Sequence, residues 1–117
     1  GGQIPMGVGV YLEANSGGYF LFSDTGNRIY DSNPEEKIAG SEVRFERNVK
    51  IGQIKDQSNS SYTVANIIFT PPEATIGFSD STGTTIIGEK LEIQLSISGQ
   101  NQTKTLIIRN SGQVSIK

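Results

Sequence analysis

The chain is 117 residues long, with ten basic and twelve acidic residues, a net charge of −2, 34% hydrophobic and 19% charged residues. That is the make-up of one ordinary globular domain, wrong for a disordered segment, and it offers no electrostatic reason for nucleic acid or an anionic membrane as partner. Cysteine and histidine are both absent, which excludes disulfides, thiol chemistry, Ser-His and Cys-His catalysis, and the commonest metal ligand.

Short apolar runs of period two, punctuated by Gly, Asn, Asp and Ser, predict antiparallel strands joined by hairpins. Val8, Val10 and Leu12 alternate with Gly9 and Tyr11, and Phe20 and Phe22 with Leu21 and Ser23; Asn15-Ser16-Gly17-Gly18 turns the chain between them. After the turn Asp24-Thr25-Gly26-Asn27 a short strand is expected at Arg28-Ile29-Tyr30, then a polar loop and at most one helical turn around residues 34–39. Val43 and Phe45, then Val49 and Ile51, predict two further strands, and residues 56–61 read as a mobile polar loop.

Asn66-Ile67-Ile68-Phe69 is a strand stopped by Pro71-Pro72, because proline cannot donate to a ladder. Residues 74–78 predict another strand and Asp80-Ser81-Thr82-Gly83 a turn. The clearest strand is Leu91-Glu92-Ile93-Gln94-Leu95-Ser96-Ile97, aliphatic at every odd position and polar at every even one, which buries one face and wets the other. Residues 105–109 return as a strand, Asn110-Ser111-Gly112 turns it, and Val114-Ser115-Ile116 closes the chain. The expected fold is mostly β: an antiparallel two-sheet sandwich or one strongly curved sheet. Its expected core is Val10, Leu12, Phe20, Phe22, Val43, Phe45, Val49, Ile51, Ile68, Leu91, Ile93, Leu95, Leu106, Ile108, Val114 and Ile116.

The order of these pieces resembles a known family. Gly7-Val8-Gly9-Val10-Tyr11-Leu12, Tyr19-Phe20-Leu21-Phe22-Ser23-Asp24 and Asn27-Arg28-Ile29-Tyr30-Asp31 are similar to the first half of the GspH/FimT-type minor pseudopilin and type IV minor pilin heads. Ile67-Ile68-Phe69-Thr70-Pro71, the strand at 91–97 and Leu106-Ile107-Ile108-Arg109-Asn110-Ser111-Gly112-Gln113-Val114 are similar to the second half. The chain departs from the pattern at Pro72-Glu73, where relatives have glycine, and at Gln113, where many have arginine.

The resemblance implies a single β-rich head over residues 1–117, whose parent carries a hydrophobic N-terminal helix absent here. It implies an extracytoplasmic head, anchored in the bacterial inner membrane by that helix before assembly. The function it implies is structural, not enzymatic: a minor subunit at or near the tip of a type II secretion pseudopilus or type IV pilus. Its partners would be other pilin or pseudopilin subunits and secreted cargo. It also implies an apolar strip where the helix would pack. The alternatives are a free-standing adhesin or carbohydrate-binding sandwich and a DNA-uptake minor pilin.

Candidate sites are few. Asp24, Asn27, Asp31 and Glu35 offer the hard oxygen ligands calcium takes. Counting from Asp24, however, an EF-hand spacing fails at Gly26 and Arg28, so turn-capping is the expected role and no metal or other cofactor is expected. Lys104, Arg109 and Lys117 are the DNA-binding candidates, but three cations on a chain of net charge −2 give phosphate little to bind. Tyr11, Tyr19, Tyr30 and Tyr62 are candidates for a sugar-stacking platform, weakened by the lack of tryptophan. No nucleophile–base pair is placed by a recognisable motif.

Overall fold

A computed structural model describes residues 7–24, 29–30, 37–70, 76–97, 99 and 102–116. The described residues form ten strands: β1 (Gly7–Glu13), β2 (Gly18–Asp24), β3 (Val43–Arg44), β4 (Val49–Asp56), β5 (Ser61–Tyr62), β6 (Val64–Phe69), β7 (Ile76–Ser79), β8 (Lys90–Ile97), β9 (Thr103–Arg109) and β10 (Val114–Ile116). They make two five-stranded antiparallel sheets, ordered β3-β2-β1-β6-β7 and β10-β9-β8-β4-β5, and no helix occurs among the described residues. The expected two-sheet sandwich is the fold.

The core lies between the sheets. Leu12, Ala65, Ile67 and Phe78 from the first sheet meet Ile51, Ile54, Leu91 and Ile93 from the second, with Ile86 closing one side. The alternation in β8 works as read, since Leu91 and Ile93 are buried and Leu95 packs behind them. In β4 the alternation breaks. The register with β8 shifts between Ile51 and Gln53, so Gly52 is an extra residue in a bulge. The bulge resets the phase, and Ile54 points into the core beside Ile51.

The sheets are tied at two corners. The β1–β2 turn reaches across to β4: the Asn15 N–H donates to the Ile51 carbonyl at 2.7 Å, and the Ile51 N–H to the Ser16 carbonyl at 2.9 Å. At another corner the Ile76 N–H donates to the Asn110 carbonyl at 2.8 Å.

Several expectations need correction. Val43, Val114 and Ile116 are not core; they are 41%, 58% and 71% exposed, because their strands lie at sheet edges. Phe22 and Ile68 are buried as expected, but together with Phe20 they pack on the outer face of the first sheet and not between the sheets, since Phe22 stands opposite Gly9 and Gly9 opposite Ile68. Phe22 is fully buried. Its ring lies over the bare backbone of Gly9, where a Cβ would fall 2.2 Å from Phe22 Cζ. Ile29 and Tyr30 belong to no strand, and Arg28 lies outside the described residues. The turn expected around residues 34–39 is not helical over 37–39, where Lys37 instead bridges to Phe22.

The segment at 56–61, expected to be mobile, is tightly organised. The Asp56 N–H donates to the Ser60 carbonyl and the Asn59 N–H to the Asp56 carbonyl, while Asp56 Oδ1 accepts the Ser58 and Ser60 amides. The turn at 80–84 repeats this pattern atom for atom with Asp80, Thr82, Gly83 and Thr84. A third copy, with Arg109 in place of the aspartate, forms the turn before β10. Each puts a left-handed residue at its fourth position: Asn59 at φ 67°, Gly83 at 86° and Gly112 at 93°.

Candidate functional site

Two concave surfaces stand out. One is an apolar cleft of about 260 Å³ between the sheets. Val10, Phe69 and Ile76 line it from the first sheet, and Leu95, Leu106 and Val114 from the second. Its rim is incompletely closed. Val8 and Phe69, paired across β1 and β6 beside Gly7, are 38% and 43% exposed, and Val114 is more exposed still. A wall of aliphatic and aromatic side chains offers no group to satisfy a buried polar atom, so it suits an apolar occupant.

The other concave surface is a groove of about 340 Å³ on the outer face of the first sheet, between Tyr11, Phe20, Lys37 and Arg44. Tyr11 and Phe20 stack with centroids 4.9 Å apart, and Tyr30 meets both edge-on at 5.5 and 4.8 Å. Lys37 Nζ lies 4.6 Å from the Phe20 centroid and pairs with Glu42. The Tyr11 hydroxyl donates to Glu13 Oε2 at 2.6 Å. Burial and this bond to a carboxylate both push the Tyr11 hydroxyl well above the ordinary tyrosine range.

The tyrosines do not make one platform. Tyr11 and Tyr30 join the outer cluster, Tyr19 packs with Phe45 toward the core, and Tyr62 donates its hydroxyl to Asp56 Oδ2 at 2.8 Å. Within the cluster, Tyr11 and Phe20 turn ring faces toward each other, and Phe20 is also met by Lys37.

Asp56, a residue not singled out from the sequence, accepts three hydrogen bonds, from the Ser58 and Ser60 amides and the Tyr62 hydroxyl. Burial works to raise its pKa, but bonds from the Tyr62 hydroxyl and the Ser60 and Ser58 amides outweigh it and hold the carboxyl below its ordinary 3.8. The Tyr62 hydroxyl is correspondingly raised, first by that bond and then by burial. Asp80 is lowered chiefly by its bond from the Thr82 hydroxyl, against a smaller opposing effect of burial. Both carboxylates are consumed in closing their own loops. The repeated Asp-x-Ser/Thr-Asn/Gly-Ser/Thr spacing was the sequence signal for it.

Of the calcium candidates, Asp24 is buried at the end of β2 opposite Gly7 and is hydrogen-bonded or otherwise engaged; Asn27, Asp31 and Glu35 lie outside the described residues. Among the described residues no three acidic side chains gather into a metal-binding group. Of the DNA candidates, Lys104 and Arg109 stand near opposite ends of β9, five residues apart and on opposite faces, roughly 17 Å along an extended strand. Lys117 lies outside the described residues. Lys104 and Arg109 therefore share no groove.

No family model, curated protein or solved structure matches this chain.

Proposed function

We propose that this chain is the head of a structural minor subunit of a type II secretion pseudopilus or type IV pilus, acting in filament assembly at or near the tip. The observation that supports it is the incompletely closed apolar cleft, lined by the part-exposed Phe69, whose ladder partner Val8 is also exposed near the start of β1. An amphipathic helix carried upstream of this domain could lay its apolar face on Val8 and Phe69. The two-sheet antiparallel sandwich is the architecture that the family resemblance leads one to expect.

The reading is tested in the parent organism by replacing the gene with a Phe69→Asp allele. A charge at the rim should abolish surface filaments or secretion while leaving the protein's cellular level within about twofold of wild type. That level is expected because a residue already 43% exposed contributes only part of its side chain to stability. Unchanged assembly would overturn the reading in favour of a free-standing binding module.

A further inference from the structure

The apolar cleft between the sheets is long and thin. On the second sheet Ile51, Leu95, Leu106 and Val114 line it from four neighbouring strands, β4, β8, β9 and β10. Three steps of about 4.8 Å between strands span roughly 14 Å. The volume of about 260 Å³ spread over that length leaves a section of roughly 19 Å², the width of one hydrocarbon chain. Ile51, Ile67 and Ile93 are buried at its floor, whereas Val10, Leu95 and Leu106 are half-buried, so the space opens toward solvent along one side. An apolar cavity of about 150 Å³ holds the six carbons of benzene, so this one holds about ten.

One charge stands at the opening. Side chains alternate along β9, so Lys104 shares the face of Leu106 and Ile108. In the ladder with β8 it stands opposite Leu95. Leu95 and Leu106 both line the cleft. Lys104 is exposed and lies two residues before Leu106, roughly 7 Å along the strand, a distance its own side chain covers. Among the described residues it makes no ion pair. The acidic residues of the neighbourhood do not compensate it. Glu92 stands opposite Ile107, on the other face of the sheet, and pairs with Lys90. Glu89 lies at the far end of β9, where its carbonyl accepts the Asn110 N–H. Glu46, next to the lining Phe45, is followed directly by Arg47.

A slot one chain wide with a free ammonium at its mouth fits one class of ligand. We propose that the cleft binds a straight-chain monocarboxylate of about ten carbons, its hydrocarbon chain between the sheets and its carboxylate at Lys104. The chain gains by leaving water and meets no polar wall. The carboxylate stays at the surface, where it keeps part of its hydration and pairs with the ammonium. Binding of this kind does not depend on the filament reading: it is measured on this chain alone, and its failure would leave the assembly test untouched.

Octanoate, decanoate, tetradecanoate and 1-decanol are titrated at neutral pH into the isotope-labelled chain, followed by calorimetry and methyl NMR. Decanoate should bind with a dissociation constant of about 100 µM or tighter. It should shift the methyl groups of Val10, Leu95, Leu106 and Val114. Octanoate, two methylenes shorter, should bind about tenfold more weakly, and tetradecanoate less than about threefold more tightly, because the cleft is then full. Decanol should bind about two- to fivefold more weakly than decanoate, the worth of one exposed ion pair. Lys104→Gln, at an exposed position, should keep the melting transition and the decanol affinity while losing the advantage of decanoate. Lys104→Glu should prefer decylammonium to decanoate. The proposal is overturned by no binding, or by shifts centred on Tyr11 and Phe20 in the aromatic groove. It is also overturned by affinity that keeps rising about tenfold per two methylenes up to tetradecanoate, by equal binding of decanol and decanoate, or by an undiminished preference for decanoate in Lys104→Gln.

Discussion

Gly9→Ala adds one methyl group where the structure has no room for it. The new Cβ would fall 2.2, 2.4 and 2.8 Å from three carbons of the Phe22 ring. Carbon–carbon contacts are comfortable at roughly 3.5–4.0 Å, so the ring must withdraw by more than about 1 Å. It is fully buried and meets Tyr30 at a centroid distance of 5.9 Å, so it has little room to retreat. Overpacking of this kind costs about 1–3 kcal/mol. At a glycine with space around it, alanine in a strand would instead stabilise by roughly 0.5–1 kcal/mol. The sign of the effect is therefore diagnostic. Urea titration and thermal melting of Gly9→Ala should show a loss, with the melting temperature falling by about 4 °C for each kcal/mol at this chain length. Phe22→Leu shortens the ring and should be costly alone. In the double variant the two costs should fall short of their sum by about 1 kcal/mol or more. A Gly9→Ala variant as stable as wild type, or costs that simply add, would refute the inlay of Phe22 over Gly9.

Asp56→Ala should cost about 2–4 kcal/mol, because it strands two amides and the Tyr62 hydroxyl, and bonds to a charged acceptor are the stronger ones; chemical denaturation measures it. Because the folded Asp56 carboxyl lies below its ordinary 3.8, its contribution is full above that value and is lost as pH falls through the folded pKa. Acid titration of stability should accordingly show a shallower loss below about pH 4 in Asp56→Asn than in wild type. Asn59→Gly should stabilise by a few tenths to about 1 kcal/mol and Gly83→Ala destabilise by about 1 kcal/mol, since both positions are left-handed; paired melts decide it, and a reversed order would contradict the shared turn geometry. Val114→Ser and Ile116→Ser should each cost less than about 1 kcal/mol, whereas Ile54→Ala, fully buried, should cost about 2–5 kcal/mol.

The strands were legible where one face is dry and the other wet. Leu91, Ile93 and Leu95 carry their burial in their spacing. The same rule placed Ile51 but missed Ile54, because a one-residue bulge at Gly52 is invisible to a period-two pattern. It also overstated Val114 and Ile116, whose alternation is perfect but whose strand lies at an edge; periodicity assigns a face and says nothing of what covers it. Phe22 is buried as its spacing implies, but on the outer face of the first sheet, over Gly9 on the next strand and beside Tyr30; periodicity says that the residue is dry and not which layer covers it. The aspartate loops were half legible. Asp80-Ser81-Thr82-Gly83 announced a turn through its glycine, while the equivalent loop at Asp56 hid behind Asn59 in the glycine position. The apolar cleft could not be read at all, because each of its lining residues looks like an ordinary core position and only the packing of the sheets leaves space between them.

The most direct test of the assembly role is to find where the protein resides and at what size. An antibody raised against this 12.6 kDa domain would be used on membrane, sheared-filament and culture-medium fractions of the source organism. The expected result is a band in the membrane and filament fractions, larger than the domain by at least the roughly 2 kDa of an anchoring helix of about 20 residues. A band confined to the medium, at the mass of the domain alone, would contradict it.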